Sequence, residues 1–266
     1  PQSMAYAQLA GLPPYYGLYA SFLPVAIASI FGSSRQLATG PVAVVSLLTA
    51  AALEPIASND PTGYVAYAIM LAFLVGAFQL SLGLLRMGVL VDFFSHPVVT
   101  GFTNAAAIII ATSQLSKLFG VSVASQEHHY QTVMNVVSES LINTHTPTLL
   151  MGLLAIFIIL FVRKISSKYP AVLISVVITT FISWYIKFET NYEGKVIGVV
   201  PDGLPSMQLP QIDFEQLINL GTVAIAISLI GFMEAISIAK AMATQTKQRL
   251  DSDQELIVQG LSNLAA

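Results

Sequence analysis

Residues 64–85, 147–162 and 217–240 are apolar runs close to the ~20 residues that a helix needs to cross a hydrocarbon core of ~30 Å. Further apolar segments fall at 1–12, 16–31, 41–53, 97–116 and 171–187, and a ninth begins near residue 256. No single soluble core has room for so many apolar faces. Charge agrees: Asp, Glu, Lys and Arg make up 9% of the chain, against roughly a quarter in ordinary soluble domains. The pattern predicts an all-α polytopic membrane protein with eight segments and the start of another, and it excludes a soluble enzyme. A net charge of −3 with no basic tract gives nucleic acid nothing to bind. With no cysteine there is no disulfide, thiolate chemistry or Cys-based metal site.

The stretches between segments carry Pro, Gly, Ser, Asn and charge. SSRQLATG, EPIASNDPTG, RMGVLVDFFSHP, the run 117–146 and the run 188–216 are predicted as loops. The last contains KVIGVVPDGLPSMQLPQID, whose three prolines forbid a continuous helix and allow a short extended stretch at most, so it is expected to form an external cap. Orientation follows from the basic residues. With the first segment running outward, Arg35, Arg86, Arg163, Lys164, Lys168, Lys240, Lys247 and Arg249 are cytoplasmic, and Lys117, Lys187 and Lys195 are external, as the positive-inside rule requires.

The segment 41–53 is too short. As a helix it would rise ~20 Å, less than the bilayer core. Gly40-Pro41 suits a helix start, with Gly allowing the turn and Pro at the first helical position, leaving the amides of Val42, Ala43 and Val44 as unpaired donors at the positive end of the helix dipole. Such a half-helix is a place for an anion, as in transporters with broken helices. The same length also suits a re-entrant loop or a short tilted helix that binds nothing.

One carboxylate sits deep in an apolar span, Glu234 in GTVAIAISLIGFMEAISIAK. An ionised carboxylate in a bilayer costs at least ~2.5 kcal/mol, so it must face a polar cavity, meet a cation or hold a proton. A coupling role follows, in which Glu234 trades a proton against a substrate; the alternative is a protonated Glu bonded to a neighbouring helix. Gln2 and Tyr6 are four apart and share a helical face, offering an amide and a phenol to a ligand or to ordinary packing. Setting QSMAYA beside EAISIA aligns Gln2 with Glu234, a short echo of the kind that inverted repeats leave. His96, His128 and His129 lack ligand spacing, and no metalloprotease, nucleotide-binding or hydrolase motif is present, so no metal or cofactor is expected. Asn104, Ser113 and Gln114 suit hydrogen bonds between helices, and Ala72 and Gly76, spaced by four, mark close helix contact.

The stretch PQSMAYAQLAGLPPYYGLYASFLPVAIASIFGSSRQLATGPVAVVSLL resembles the opening of the sulfate permease (SulP) family of anion transporters, relatives of pendrin and prestin. PYYGLYAS followed by GSSR is close to the family signature, with Ala28 where Tyr or Ile is usual. Similarity continues through FFSHPVVTGFTNAAAIIIATSQL, VVPDGLPSMQLP and GFMEAISIAKAMA. The resemblance implies a fold of fourteen segments in two inverted repeats of seven, with a broken half-helix at the third. It divides the chain into core segments one to four at 1–85, gate or scaffold segments five to seven at 86–187, an extracytoplasmic loop at 188–216, and at 217–266 segment eight with the start of nine, back in the core. Both ends fall within apolar sequence, so a longer parent is expected, with the tenth segment and a cytoplasmic STAS domain beyond the last residue. In the family the anion lies between the half-helices of segments three and ten, flanked by segments one and eight. Residue by residue, that implies Gln2, Tyr6, Pro41, Val42 and Ala43 as substrate-binding positions and Glu234 as the site of the coupling ion.

The expected function is secondary active transport: uptake of sulfate or a similar oxyanion with a proton, by an elevator-like movement of the core. Sodium-coupled bicarbonate transport, proton-coupled dicarboxylate transport and a channel-like anion module are the alternatives. The expected partners are a small inorganic or organic anion, a proton or sodium ion, the lipid bilayer and a second copy of the chain. A bacterial inner membrane is the expected location.

Overall fold

The computed structural model describes residues 2–35, 37–57, 61–89, 96–123, 129–166, 168–198, 200–203 and 214–266. Every regular element among them is helical. The chain divides into two compact units, one formed by Pro1–Asn104 with Val200–Ala266, the other by Ala105–Val199.

The first unit contains α1 (Gln2–Leu9), α2 (Pro14–Ala20), α3 (Leu23–Phe31), α4 (Ala43–Ala57), α5 (Pro61–Leu84) and the first half of α6 (His96–Ser113). The second contains the rest of α6, α7 (Leu115–Phe119), α8 (His129–Asn143), α9 (Thr146–Ile165), α10 (Ala171–Tyr185) and α11 (Phe188–Tyr192). The chain then returns to the first unit with α12 (Phe214–Thr246) and α13 (Ser252–Leu264). All eight apolar segments fall on helices. Among the described residues, four stretches are long and apolar enough to cross a membrane: Pro14–Phe31, Gly63–Leu84, Thr146–Ile165 and Leu217–Lys240. Ala43–Ile56, Ala107–Phe119 and Ala171–Tyr185 are apolar but shorter. The chain is a multi-pass membrane protein.

The segment 16–31 is made of two helices, because Pro24 has no amide and its ring crowds the carbonyl of Ala20; the chain tightens instead through Ser21 and Phe22, whose amides reach back three residues to Leu18 and Tyr19. One expectation needs correcting. The run 117–146 is not simply a loop. It holds α8, whose alternation of polar and apolar residues hides an inward face through Val133 and Val136. Ser113 donates to the carbonyl of Ile110, and Gln114 Nε2 donates to the Ser113 hydroxyl. The VVPDGLPSMQLP stretch lies largely outside the described residues.

In the first unit α4, α5, α12 and α13 surround the core. Leu53, Met70, Leu71, Val75, Leu220, Ala224 and Ile227 form one buried cluster, and Leu82, Phe232, Ile236 and Leu256 a second. Lipid tails are as apolar as these side chains, so close packing rather than water exclusion holds such helices together, and small residues carry the interfaces. A Cβ on Gly260 would lie 2.5 Å from the backbone nitrogen of Leu80, and one on Gly76 would lie 2.8 Å from the carbonyl oxygen of Gly260. The close contact expected of Gly76 is therefore made with α13. Gly260→Val should force α5 and α13 apart and lower the unfolding temperature of the whole protein in detergent, by an overpacking cost of ~1–3 kcal/mol. An unchanged unfolding temperature would show that the interface yields freely.

In the second unit α9 and α10 pair, with the Ser175 hydroxyl donating to the Ala155 carbonyl at 3.0 Å. His145 ties three elements: its amide donates to Phe119 at the end of α7, Nδ1 meets Thr148 on α9 at 2.7 Å, and Nε2 meets the Tyr192 carbonyl of α11 at 2.8 Å.

Candidate functional site

The first hydrogen bond of α4 runs from the Ser46 amide to the Val42 carbonyl at 3.0 Å. Val42 is thus the capping residue and Ala43 the first helical residue. Pro41 stands one position further out than its expected place inside the helix. The amides that precede the first helical bond are those of Ala43, Val44 and Val45, shifted by one from the expected set. The other end also differs, since α4 continues through Glu54 and Pro55 to Ala57. Fifteen residues still rise only ~22 Å, so α4 remains a half-helix.

The approach to α4 and its first turns form part of the wall of a cavity of ≈ 300 Å³. Thr39, Gly40, Pro41, Val42, Val45 and Ser46 line it, with Ala10 and Leu12 following α1. Beside them α12 contributes Ile227, Gly231, Glu234 and Ile238, whose spacings of four, three and four keep them on one helical face. At Gly231 α12 comes close to α4: a Cβ there would lie 3.3 Å from the Val45 side chain, a tight contact. The closeness of the two helices at this point brings Glu234 to the wall that also receives the start of α4. Glu234 is half-buried, and its Oε2 is fully buried with no hydrogen-bond partner.

The floor of the cavity comes from α5 and α13. Gln79, 2% exposed, donates from Nε2 to the Ser228 carbonyl at 3.1 Å and accepts from Asn263 Nδ2 at 2.8 Å. The Ser262 hydroxyl donates to the Pro24 carbonyl at 3.1 Å. Gln259, one turn before Asn263 on α13, also lines the cavity. No Lys, Arg or His is among the described lining residues, so the positive end of α4 and neutral donors supply what attraction for an anion these residues have. Among the described residues no three His, Asp or Glu side chains converge as a metal site requires.

The sequence-predicted residues divide. Pro41, Val42 and Glu234 share the cavity wall, and Ala43 stands directly behind it as the first residue of α4. Gln2 and Tyr6 do share a face of α1, but they bond to each other, Gln2 Nε2 donating to Tyr6 Oη at 2.7 Å, and neither lines this cavity. Gln79, Gln259 and Asn263 were not singled out from the sequence. The available signal was an amide inside an apolar run, clearest for Gln79 within GAFQLSLG.

Known proteins match both the sequence and the fold. The sequence matches the family described as the Sulfate permease family over residues 1–266. It is 38% identical over 272 residues to "Sulfate transporter 4.1, chloroplastic" of Arabidopsis thaliana, covering 99% of this chain and 39% of that protein. The fold is similar to that of the murine solute carrier 26 family member A9 anion transporter in the inward-facing state, with a TM-score of 0.91 at 25% identity, covering 100% of this chain and 47% of that one. It is also similar to the transmembrane domain of a cyanobacterium bicarbonate transporter, BicA, with a TM-score of 0.86 at 25% identity, covering 99% of this chain and 67% of that one.

Proposed function

The chain belongs to the sulfate permease family, and from that premise we propose that the protein containing it is a secondary active transporter that takes up sulfate, or a similar oxyanion, together with a proton. The chain spans about two fifths of the length of the Arabidopsis relative, so the activity proposed is that of the whole protein. The single observation that carries the reading is Glu234, an acid whose unpartnered Oε2 is buried beside a cavity that also takes in the start of a half-helix. A proton carried on Glu234 removes a negative charge from the cavity that an anion at the α4 amides would enter. Anion and proton therefore favour each other's binding.

In the proposed cycle the core carries the site and shifts in an elevator-like movement. The core comprises 1–85 and 217–266, and 86–187 forms the gate or scaffold. The compactness of the two units supports a division of this kind. Gln2 and Tyr6 act with the site from α1, and the protein works as a homodimer of inverted-repeat subunits in the plasma membrane. A second reading, sodium-coupled bicarbonate uptake, draws support from the fold's likeness to BicA. The test is uptake of labelled sulfate by proteoliposomes holding the full-length protein. Accumulation that requires an inward proton gradient is expected. Uptake of bicarbonate with sodium, and none of sulfate, would replace the first reading by the second.

A further inference from the structure

Two buried side-chain atoms among the described residues have no hydrogen-bond partner: Glu234 Oε2 and Gln259 Nε2. Both residues line the same cavity. Gln259 is 5% exposed, so its amide is shut away from bulk water that could otherwise satisfy it. The floor of that cavity also shows what a structural glutamine looks like here. Gln79 is as deeply buried, and both ends of its amide are bonded, to Ser228 and to Asn263. An unsatisfied buried amide costs stability, about 1–3 kcal/mol, and Leu or Met would fill the same space without that cost. Packing among the described residues alone therefore gives no reason for an amide at position 259.

The chemistry of the two atoms is complementary. Gln259 Nε2 is a donor, whereas a carboxylate oxygen accepts. A small oxyanion accompanied by a proton suits both, because it presents acceptor oxygens to the amide while the proton resides at Glu234. The start of α4, on the wall between Pro41 and Val45, adds a positive potential to the same space. We propose that Gln259 is a substrate-contacting residue, donating its amide N–H to an oxygen of the transported oxyanion. This inference rests on the transport function proposed above, and it adds α13 to the elements that recognise the anion.

The test compares the full-length wild type with Gln259→Leu in proteoliposomes, using labelled sulfate and labelled bicarbonate, and compares the unfolding temperatures of both proteins in detergent without added anion. For whichever anion the wild type takes up, the variant is expected to show a KM raised about tenfold, equivalent to ~1.4 kcal/mol. Its unfolding temperature is expected to match or exceed that of the wild type. Gln259→Met, unbranched like Gln, serves as a second variant should Leu not fold, with the same expectation. An unchanged KM in a folded variant would overturn the role of Gln259 alone, and so would a lowered unfolding temperature with KM unchanged. A wild type that takes up neither anion would overturn the transport function and this inference with it.

Discussion

Glu234→Gln is expected to abolish proton-driven accumulation while leaving anion binding in place. Each unit of pH gradient supplies about 1.4 kcal/mol per proton. With one proton per anion and the membrane potential clamped at zero, a gradient of ~2 units then sustains an accumulation ratio of ~100-fold. The glutamine has the size and hydrogen-bonding capacity of a protonated glutamate, and it cannot release a proton. Its carrier should equilibrate sulfate across the membrane to a ratio near one, whatever the gradient. Binding should survive, because the start of α4 and the Gln259 amide are untouched. The measurement is labelled-sulfate uptake by the full-length variant over a series of imposed gradients, beside a binding assay on the same preparation. A pH profile identical to that of the wild type would remove Glu234 from the coupling mechanism.

The second large effect concerns stability. Glu255 of α13 is 2% exposed, and its Oε1 accepts three hydrogen bonds from the turn after α3: from the Ser33 amide at 2.7 Å, the Ser33 hydroxyl at 2.7 Å and the Ser34 amide at 2.8 Å. The surrounding bonds reinforce this clasp. Gln248 Nε2 donates to the Ser33 carbonyl at 2.9 Å, and Gln254 Nε2 donates to the Phe31 carbonyl at 2.8 Å. Asp251 caps α13 by accepting from the amides of Asp253 and Gln254, and Asp253 Oδ1 accepts from the Gly88 amide at 2.7 Å. Removing the carboxylate strands two backbone amides in a partly buried turn. At about 1–3 kcal/mol for each unsatisfied group, Glu255→Ala should destabilise the protein by about 3 kcal/mol. Glu255→Gln keeps an acceptor and should lose less. The unfolding temperature of the full-length variants in detergent checks both, and an alanine variant as stable as the wild type would show that the turn finds other partners.

This clasp gives a physical reason for the GSSR motif. In the sequence the motif is recognisable only as part of a family signature. In the fold, two of its residues present donors to an acid 222 positions further on. Nothing local marks Glu255 as their partner. It lies in SDQELIVQGLSNL, a mixed polar and apolar stretch that forms α13, whose buried face includes Glu255, Leu256, Val258 and Gln259. The same blindness hid Gln259 and Asn263. By contrast Glu234 was legible at once, because a charge within a span of membrane-crossing hydropathy carries a cost that can be judged without any neighbour.

The sequence by itself determined the properties that depend on local composition and period. Those are the helical class, the positions of the eight apolar segments, the shortness of the 41–53 segment and the isolation of one carboxylate in lipid-like surroundings. They are legible because a bilayer imposes the same length and backbone requirements on every segment, whatever it packs against. The tertiary structure decided what depends on distance through space. At Gly231 α12 comes close to Val45, which brings Glu234 to the wall shared with α4. Gly76 and Gly260 let α5 and α13 close on each other, and in the floor they build, one buried glutamine is bonded at both ends and the other is left with an unpartnered amide. Pairings of this kind join residues 149 or more positions apart, and only the packing of helices whose small residues permit contact brings such residues together.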